Sequence, residues 1–224
     1  MSWNHRRRDL EELMDGPGCS DEEIRGALVF LRRVNGWSFA RRLLDREMMG
    51  VCEAPAGRIL DVATGGADLP AHLKRHGSVR LAVGLDKSGV ILSHAQELSP
   101  GVTLVRADCF RMPFPDKAFD AVVCHLFFHH VDEREFVALL REMDRVAKSL
   151  VVLDLARSRW LYALVKVLVG LFGNRLTRYD GPVSVQRSYT APEVRDLARR
   201  AGVAVTVKKL PLWRWSAVSH NSRQ

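Results

Sequence analysis

The chain predicts an α/β fold: a seven-stranded, mostly parallel sheet with helices on both faces. Short apolar runs rich in branched residues recur near 58–63, 80–86, 102–107, 119–125 and 149–155, as strands buried on both faces do. Segments of helical spacing separate them, near 68–76, 88–98 and 133–147, which is how parallel neighbours are connected. Two further runs, Val203–Val207 and one around Trp213–Val218, bring the strands to seven.

Taken in order, residues from about 9 to 54 read as helices ahead of the first strand. Asp21, Glu22 and Glu23 put acids at a helix start, and Ile24, Ala27, Leu28, Leu31 and Val34 recur at helical spacing. The run Arg58–Val62 then passes into Ala63-Thr64-Gly65-Gly66. Bare glycine backbone lets a ligand lie close, and the helix that follows points free N–H groups at it. The second strand ends in Asp86, about 25 residues after Asp61, where an acid can accept hydrogen bonds from ribose hydroxyls. The loop is not the Gly-x-Gly-x-x-Gly of nicotinamide sites.

The stretch from Arg157 to Thr190 interrupts the alternation. Residues Trp160–Phe172 are apolar nearly all round, yet too short for a membrane span of about 20 residues. Such a helix is packed between the sheet and its neighbours, or is a lid over an apolar ligand, or touches lipid with its outer face. Asp180-Gly181-Pro182 has the chemistry of a turn. Pro192 then opens a helix carrying Val194, Leu197, Ala198 and Ala201, with Gly202 as its stop.

With 224 residues, 47% of them hydrophobic, one domain is expected. Its parts would be an N-terminal helical cap (1–54), a ligand-binding core (55–155), a lid insertion (156–190) and a C-terminal helix with a strand pair (191–224). The basic start is followed by no apolar run, so no secretory signal is expected. Cys19, Cys52, Cys109 and Cys124 lack zinc spacing and read as reduced thiols of a cytoplasmic protein. The net charge of +8 is dispersed over helices, with Arg6-Arg7-Arg8 the one cluster, and reads as a solvated surface rather than a nucleic-acid patch.

The pattern Leu60-Asp61-Val62 followed by small residues and glycines resembles the first motif of class I S-adenosylmethionine-dependent methyltransferases, which have a Rossmann-like sheet. Val105-Arg106-Ala107-Asp108-Cys109 is similar to that family's third-strand element. Pro113-Phe114-Pro115-Asp116-Lys117-Ala118-Phe119-Asp120 resembles the branch that includes ubiquinone and menaquinone methyltransferases. Asp154-Leu155-Ala156-Arg157-Ser158, the Asp180–Thr190 stretch and the opening Glu12-Leu13-Met14-Asp15 resemble a bacterial subgroup that tailors phenolic lipids and polyketides. The chain departs from the family with Ala63 and Ala67 where Gly is usual, and with Leu153 where the subgroup has Asn.

The resemblance implies S-adenosyl-L-methionine as cofactor, S-adenosyl-L-homocysteine as product and an antiparallel last strand. It implies Asp61 at the methionine ammonium, with Ala63, Thr64, Gly65 and Gly66 along the methionine moiety. Asp86, flanked by Lys87, would hold the ribose, and Asp108 and Cys109 the adenine. His125 ends the fourth strand at the carboxyl edge of the sheet, beside the methyl donor. A small, lipophilic aromatic acceptor such as a phenol, quinol or polyketide would meet the lid, with Trp160, Tyr162, Arg187 and Tyr189 as contacts. For Arg187 and Tyr189 the other reading is structural: a pair with Asp180 or Asp154, and an anchor for a loop. A phenol must lose its proton before it attacks, and His129 or His125 is the candidate base, with oxygen favoured over carbon as the acceptor atom. His130 reads as a loop-holding residue. No metal is expected, because the three histidines lack a matching carboxylate or Cys set in the sequence. No nucleic acid is expected as partner, at most transient membrane contact, and a monomer or homodimer. The rival readings are a nucleic-acid base methyltransferase and a non-catalytic protein that binds the cofactor.

Overall fold

A computed structural model describes residues 3, 5–16, 18–37, 40–49, 51, 56–77 and 79–219. Cys52, the expected boundary at 54–55 and the last five residues lie outside this set. The strands are β1 (Ala56–Val62), β2 (Val79–Asp86), β3 (Thr103–Arg106), β4 (Phe119–His125), β5 (Ala147–Leu155), β6 (Thr206–Leu210) and β7 (Arg214–Ser219). They form one sheet in the order β3-β2-β1-β4-β5-β7-β6. The first five run parallel, while β7 is antiparallel to both β5 and β6. The order reverses between β1 and β4, and the crevice at the carboxyl ends there is the ligand position of open α/β sheets.

Alternation along the strands divides the core. Leu60, Val62, Val83, Leu85, Val122 and Val152 face α5 (Glu133–Val146) and α8 (Ala191–Ala201), with Phe136, Leu139 and Trp215 fully buried among them. Ile59, Ala82, Ala121, Val123 and Val151 face α2 (Ala40–Met49) and α3 (Asp68–Arg75) on the other side. The N-terminal helices are α1 (Asp21–Trp37) and α2, and α4 (Gly89–Leu98) covers β2 and β3. Among the described residues of 9–20, a stretch expected to be helical, there is only a single short 3-10 turn, Leu13–Asp15. The last helix stops where foreseen: Gly202 takes φ 70°, and its N–H donates back to the helix.

The insertion differs from expectation. After α6 (Arg159–Phe172), the stretch foreseen as a turn is a second helix, α7 (Arg175–Arg187), with Asp180-Gly181-Pro182 inside it. Packing explains this. A Cβ on Gly181 would meet Val165 and Val169 of α6 at 3.0 and 3.1 Å, so glycine lets the two helices touch. Pro182 removes one backbone donor, while the Ser184 hydroxyl donates to the Asp180 carbonyl at 2.8 Å inside the same turn. Tertiary contact outweighs local turn chemistry here.

Candidate active site

The turn after β1 is built on alternating left-handed residues: Ala63 (φ 54°), Gly65 (φ 53°) and Ala67 (φ 52°). That is why the family carries glycine at the two positions where this chain has alanine, and alanine there stores about 1 kcal/mol each. Asp86, at the tip of β2, fixes the turn: one oxygen accepts from the Gly65 N–H at 3.2 Å, the other from the Ser88 N–H at 3.0 Å. Gly84, one residue pair back, is required by space, since a Cβ would stand 2.8 Å from the Thr64 hydroxyl. A side chain at Gly65 or Gly66 would come within 3.8 Å of Leu28, so α1 roofs the loop.

Beneath this turn Asp61 is buried, 4% exposed. Its carboxylate accepts from the Thr64 hydroxyl at 2.6 Å. Burial pushes it up to about 7; the Thr64 hydrogen bond pulls back, while Asp68 and Asp86 add to the rise. A carboxyl in this position favours a cationic partner. The cofactor's ammonium has that character, so the residues present fit the group. On the far side of Asp86, Lys87 and Asp108 are exposed, and Asp108 accepts from the Phe110 N–H at 2.9 Å. Burial, reinforced by Asp108, pushes the Cys109 thiol up to about 12, so it stays protonated.

The histidines follow β4. His125 pairs in register with Leu153, and among the described residues its Nε2 is buried without a hydrogen-bond partner. Burial, with Arg214 nearby, pushes it down to about 3, so it is neutral. His129 is also buried, but clamped: Asp154, at the end of β5, accepts its N–H at 3.0 Å and meets its ring Nδ1 at 2.8 Å. Burial alone would raise Asp154, but the charge and hydrogen bond of His129 hold it below the usual carboxylate value. The ring's other nitrogen, Nε2, faces Glu12 at 3.5 Å, and His130 Nε2 lies 3.6 Å from the same carboxylate.

Glu12 thus supplies the carboxylate that sequence spacing could not, and its oxygens with the two imidazoles lie within 4.8 Å of one another. Such a set could ligate a divalent ion. Next to it, however, Arg6 donates to the His129 and Val131 carbonyls at 2.7 and 2.6 Å, and Arg187 to the His129 carbonyl at 3.0 Å. Two guanidiniums beside the cluster oppose a further cation, and Glu12 reads as the anionic partner of this basic group.

Two of the expected acceptor contacts, Arg187 and Tyr189, have partners within the protein. Arg187 pairs with neither Asp180 nor Asp154. Its guanidinium is spent on the carbonyls of His129, His130 and Leu10. Tyr189 is 2% exposed, donates to the Val131 carbonyl at 2.9 Å and lies under Arg6 at 4.1 Å. Both hold the segment after β4 in place. Asp180 accepts from the N–H groups of Leu13 and Met14, at 2.7 and 3.2 Å, and ties the N-terminal segment to α7. Tyr162 packs edge-on against Trp3, ring centroids 5.3 Å apart, and Trp160 is 61% exposed on the outer side of α6, not on an inner lid face. Asp154 could have been read as the partner of His129, since the ends of β4 and β5 are neighbours. The sequence singled out Arg6 as part of a basic cluster and Glu12 as part of a subgroup motif, but gave no sign that either meets His129.

The strand order with an antiparallel β7, and the acid-tipped β2 beside a glycine turn, define the class as an α/β methyltransferase domain. Residues 59–149 match the family described as "Methyltransferase domain". A demethylmenaquinone methyltransferase of Thermotoga maritima is 27% identical over 195 residues, covering 80% of this chain and 84% of that protein. One from Thermus thermophilus is 36% identical over 110 residues, 47% of each chain. The crystal structure of a SAM-dependent methyltransferase from Aquifex aeolicus shares the fold, with a TM-score of 0.63 at 18% identity over 90% of this chain and 98% of that one. The family match, the relatives and the shared fold together support a class I S-adenosylmethionine-dependent methyltransferase.

Proposed function

We propose that the enzyme methylates a small, lipophilic, hydroxylated aromatic ring of the quinol or phenol class, with His129 as the base and Asp154 as its positioning partner. The observation that carries this reading is the double hold of Asp154 on His129, through the main-chain N–H and through ring Nδ1. A carboxylate on Nδ1 fixes the tautomer that leaves Nε2 free to accept a proton, and stabilises the imidazolium that results. His125, held near 3, is too weak a base at neutral pH. Its unpartnered Nε2 is instead suited to hold the acceptor's hydroxyl.

Bound at the turn, the cofactor supplies a methyl group already activated on a sulfonium. The protein's share is to bind, orient and exclude water. Asp61 would take the ammonium, Ala63, Thr64, Gly65 and Gly66 would line the methionine moiety, Asp86 with Lys87 the ribose, and Asp108 with Cys109 the adenine. Glu12 stands before His129 Nε2, so the acceptor's hydroxyl would have to replace Glu12 there. The names of the relatives support a quinone-type ring and, in the ubiquinone/menaquinone biosynthesis C-methyltransferase of Geobacter sulfurreducens, a carbon acceptor. The sequence favoured oxygen. Both begin with the same phenolate.

The test is turnover with naphthoquinols, alkylresorcinols and polyketide phenols, followed as adenosylhomocysteine, with carbon NMR of the labelled methyl to place it on oxygen or carbon. Turnover with a hydroxylated ring that His129→Asn abolishes, cofactor affinity being retained, supports the reading. Turnover confined to nucleic acid, or an unaffected His129→Asn enzyme, overturns it.

A further inference from the structure

Only one face of α6 is used by the fold. Leu161 and Val169 are buried, and the helix packs on α7. The other face carries Trp160 (61% exposed), Leu164 (42%), Val167 (59%) and Leu171 (68%), and Phe172 (66%) is exposed at the end of the helix. Positions 160, 164, 167 and 171 follow helical spacing, so they form one continuous stripe along the helix. Large apolar side chains exposed singly are ordinary on a protein surface; a whole stripe marks a contact.

Charge identifies what covers it. Between Asp154 and Asp180 the chain has no acidic residue at all, but five basic ones. Arg157 is committed to Glu193 at 2.7 Å and Arg175 to Glu23 at 2.6 Å. Arg159 and Lys166 on α6 and Arg178 on the neighbouring α7 are exposed. Arg159 lies over the Trp160 ring at 4.9 Å, and Lys166 is 5.9 Å from the Tyr162 ring. A protein partner with an apolar groove would ask only for the stripe. The exposed cations, the net charge of +8 and the tryptophan and tyrosines (Tyr179 is 43% exposed) are what an anionic bilayer surface selects. Among the described residues no helix is long and apolar enough to cross a membrane, so the contact would lie in the plane of the interface.

We propose that the outer face of α6 docks the enzyme onto an anionic phospholipid surface. The inference stands on exposure and charge, and holds whichever acceptor is methylated.

The experiment is vesicle co-sedimentation of the full chain, without acceptor or cofactor, so that its outcome is independent of the proposed chemistry. Vesicles of phosphatidylcholine alone are compared with vesicles containing about a third phosphatidylglycerol. Binding is expected to the second, weakening with salt, and falling about tenfold or more in a Leu164→Ser, Leu171→Ser double variant. A Lys166→Glu, Arg178→Glu variant should lose the preference for phosphatidylglycerol. All four side chains are at the surface, and circular dichroism should be unchanged. Absence of binding to either vesicle, or equal binding by the serine variant, overturns the proposal. So does a dimer in sedimentation velocity that the serine variant dissolves, with no vesicle binding.

Discussion

Asp154 holds His129 at two points, its oxygens accepting the main-chain N–H at 3.0 Å and meeting ring Nδ1 at 2.8 Å. Both residues are buried, at 1% and 3% exposure, so the contact is shielded from water and salt. It joins the segment that follows β4 to the end of the neighbouring parallel strand β5, where the crevice of the sheet opens.

Replacing Asp154 by Asn keeps the shape but removes the charge and offers Nδ1 a donor as well as an acceptor. Activity of Asp154→Asn should fall about 10²–10⁴-fold in kcat, with little change in cofactor affinity. Stability at neutral pH should fall by about 3 kcal/mol, because His129 loses a buried partner. The pH dependence has a definite sign. Asp154 is held below its usual value, so its stabilisation is present above the unfolded value of about 3.9 and is lost as acidity increases further. Denaturant titrations at pH 7 and pH 3 should show the difference between the two proteins shrinking at the lower pH.

What the sequence revealed follows from what is local. Strands such as 58–63 and 119–125 were legible because strands buried on both faces are mostly apolar, and the Gly65-Gly66 turn because few residues tolerate its backbone. Asp86 was legible by spacing alone. The cluster of Glu12, Arg6, Arg187 and His129 was not, since it is assembled from three segments separated by 58 residues or more and its polar residues look like surface ones. Arg187 and Tyr189 were placed at the acceptor by resemblance, whereas their partners in the fold are backbone carbonyls, which no side-chain pattern announces. The helix over 175–187 was hidden by Gly181 and Pro182, whose local preference yields to the contact with Val165 and Val169.

Tyr189 tests the structural assignment directly. Tyr189→Phe removes only the hydroxyl that donates to the Val131 carbonyl. Thermal or urea unfolding should register a loss of about 1 kcal/mol. If Tyr189 merely anchors this segment, kcat/KM should stay within about twofold of the unaltered enzyme. A large rise in KM for the acceptor would return the residue to the binding site.

Ala63 offers a gain rather than a loss. Its φ of 54° is one a side chain resists. Ala63→Gly relieves that strain, about 1–2 kcal/mol, against the higher entropy of glycine in the unfolded chain, about 0.5–1 kcal/mol. The expected outcome is a net stabilisation of about 0.5–1 kcal/mol, read as a higher urea midpoint at unchanged slope.

Asp61 links cofactor binding to proton release. Buried beneath the turn and pushed up to about 7, it binds a proton in the folded protein that the unfolded chain gives up at about 3.9. Stability of the cofactor-free protein should therefore decline as pH rises from about 4 to above 7, by about 2–4 kcal/mol in all. Asp61→Asn, neutral at every pH and still able to accept from Thr64, should remove that decline and be the more stable protein at pH 8. A bound ammonium reverses the preference by favouring the carboxylate. At pH 7 calorimetry in buffers of different ionisation enthalpy should then show adenosylmethionine binding with release of roughly half a proton, since about half of Asp61 is protonated beforehand. In Asp61→Asn that release should vanish and affinity should drop at least about tenfold. Binding without any buffer dependence in the unaltered protein would mean that the ammonium sits elsewhere and that Asp61 serves the turn alone.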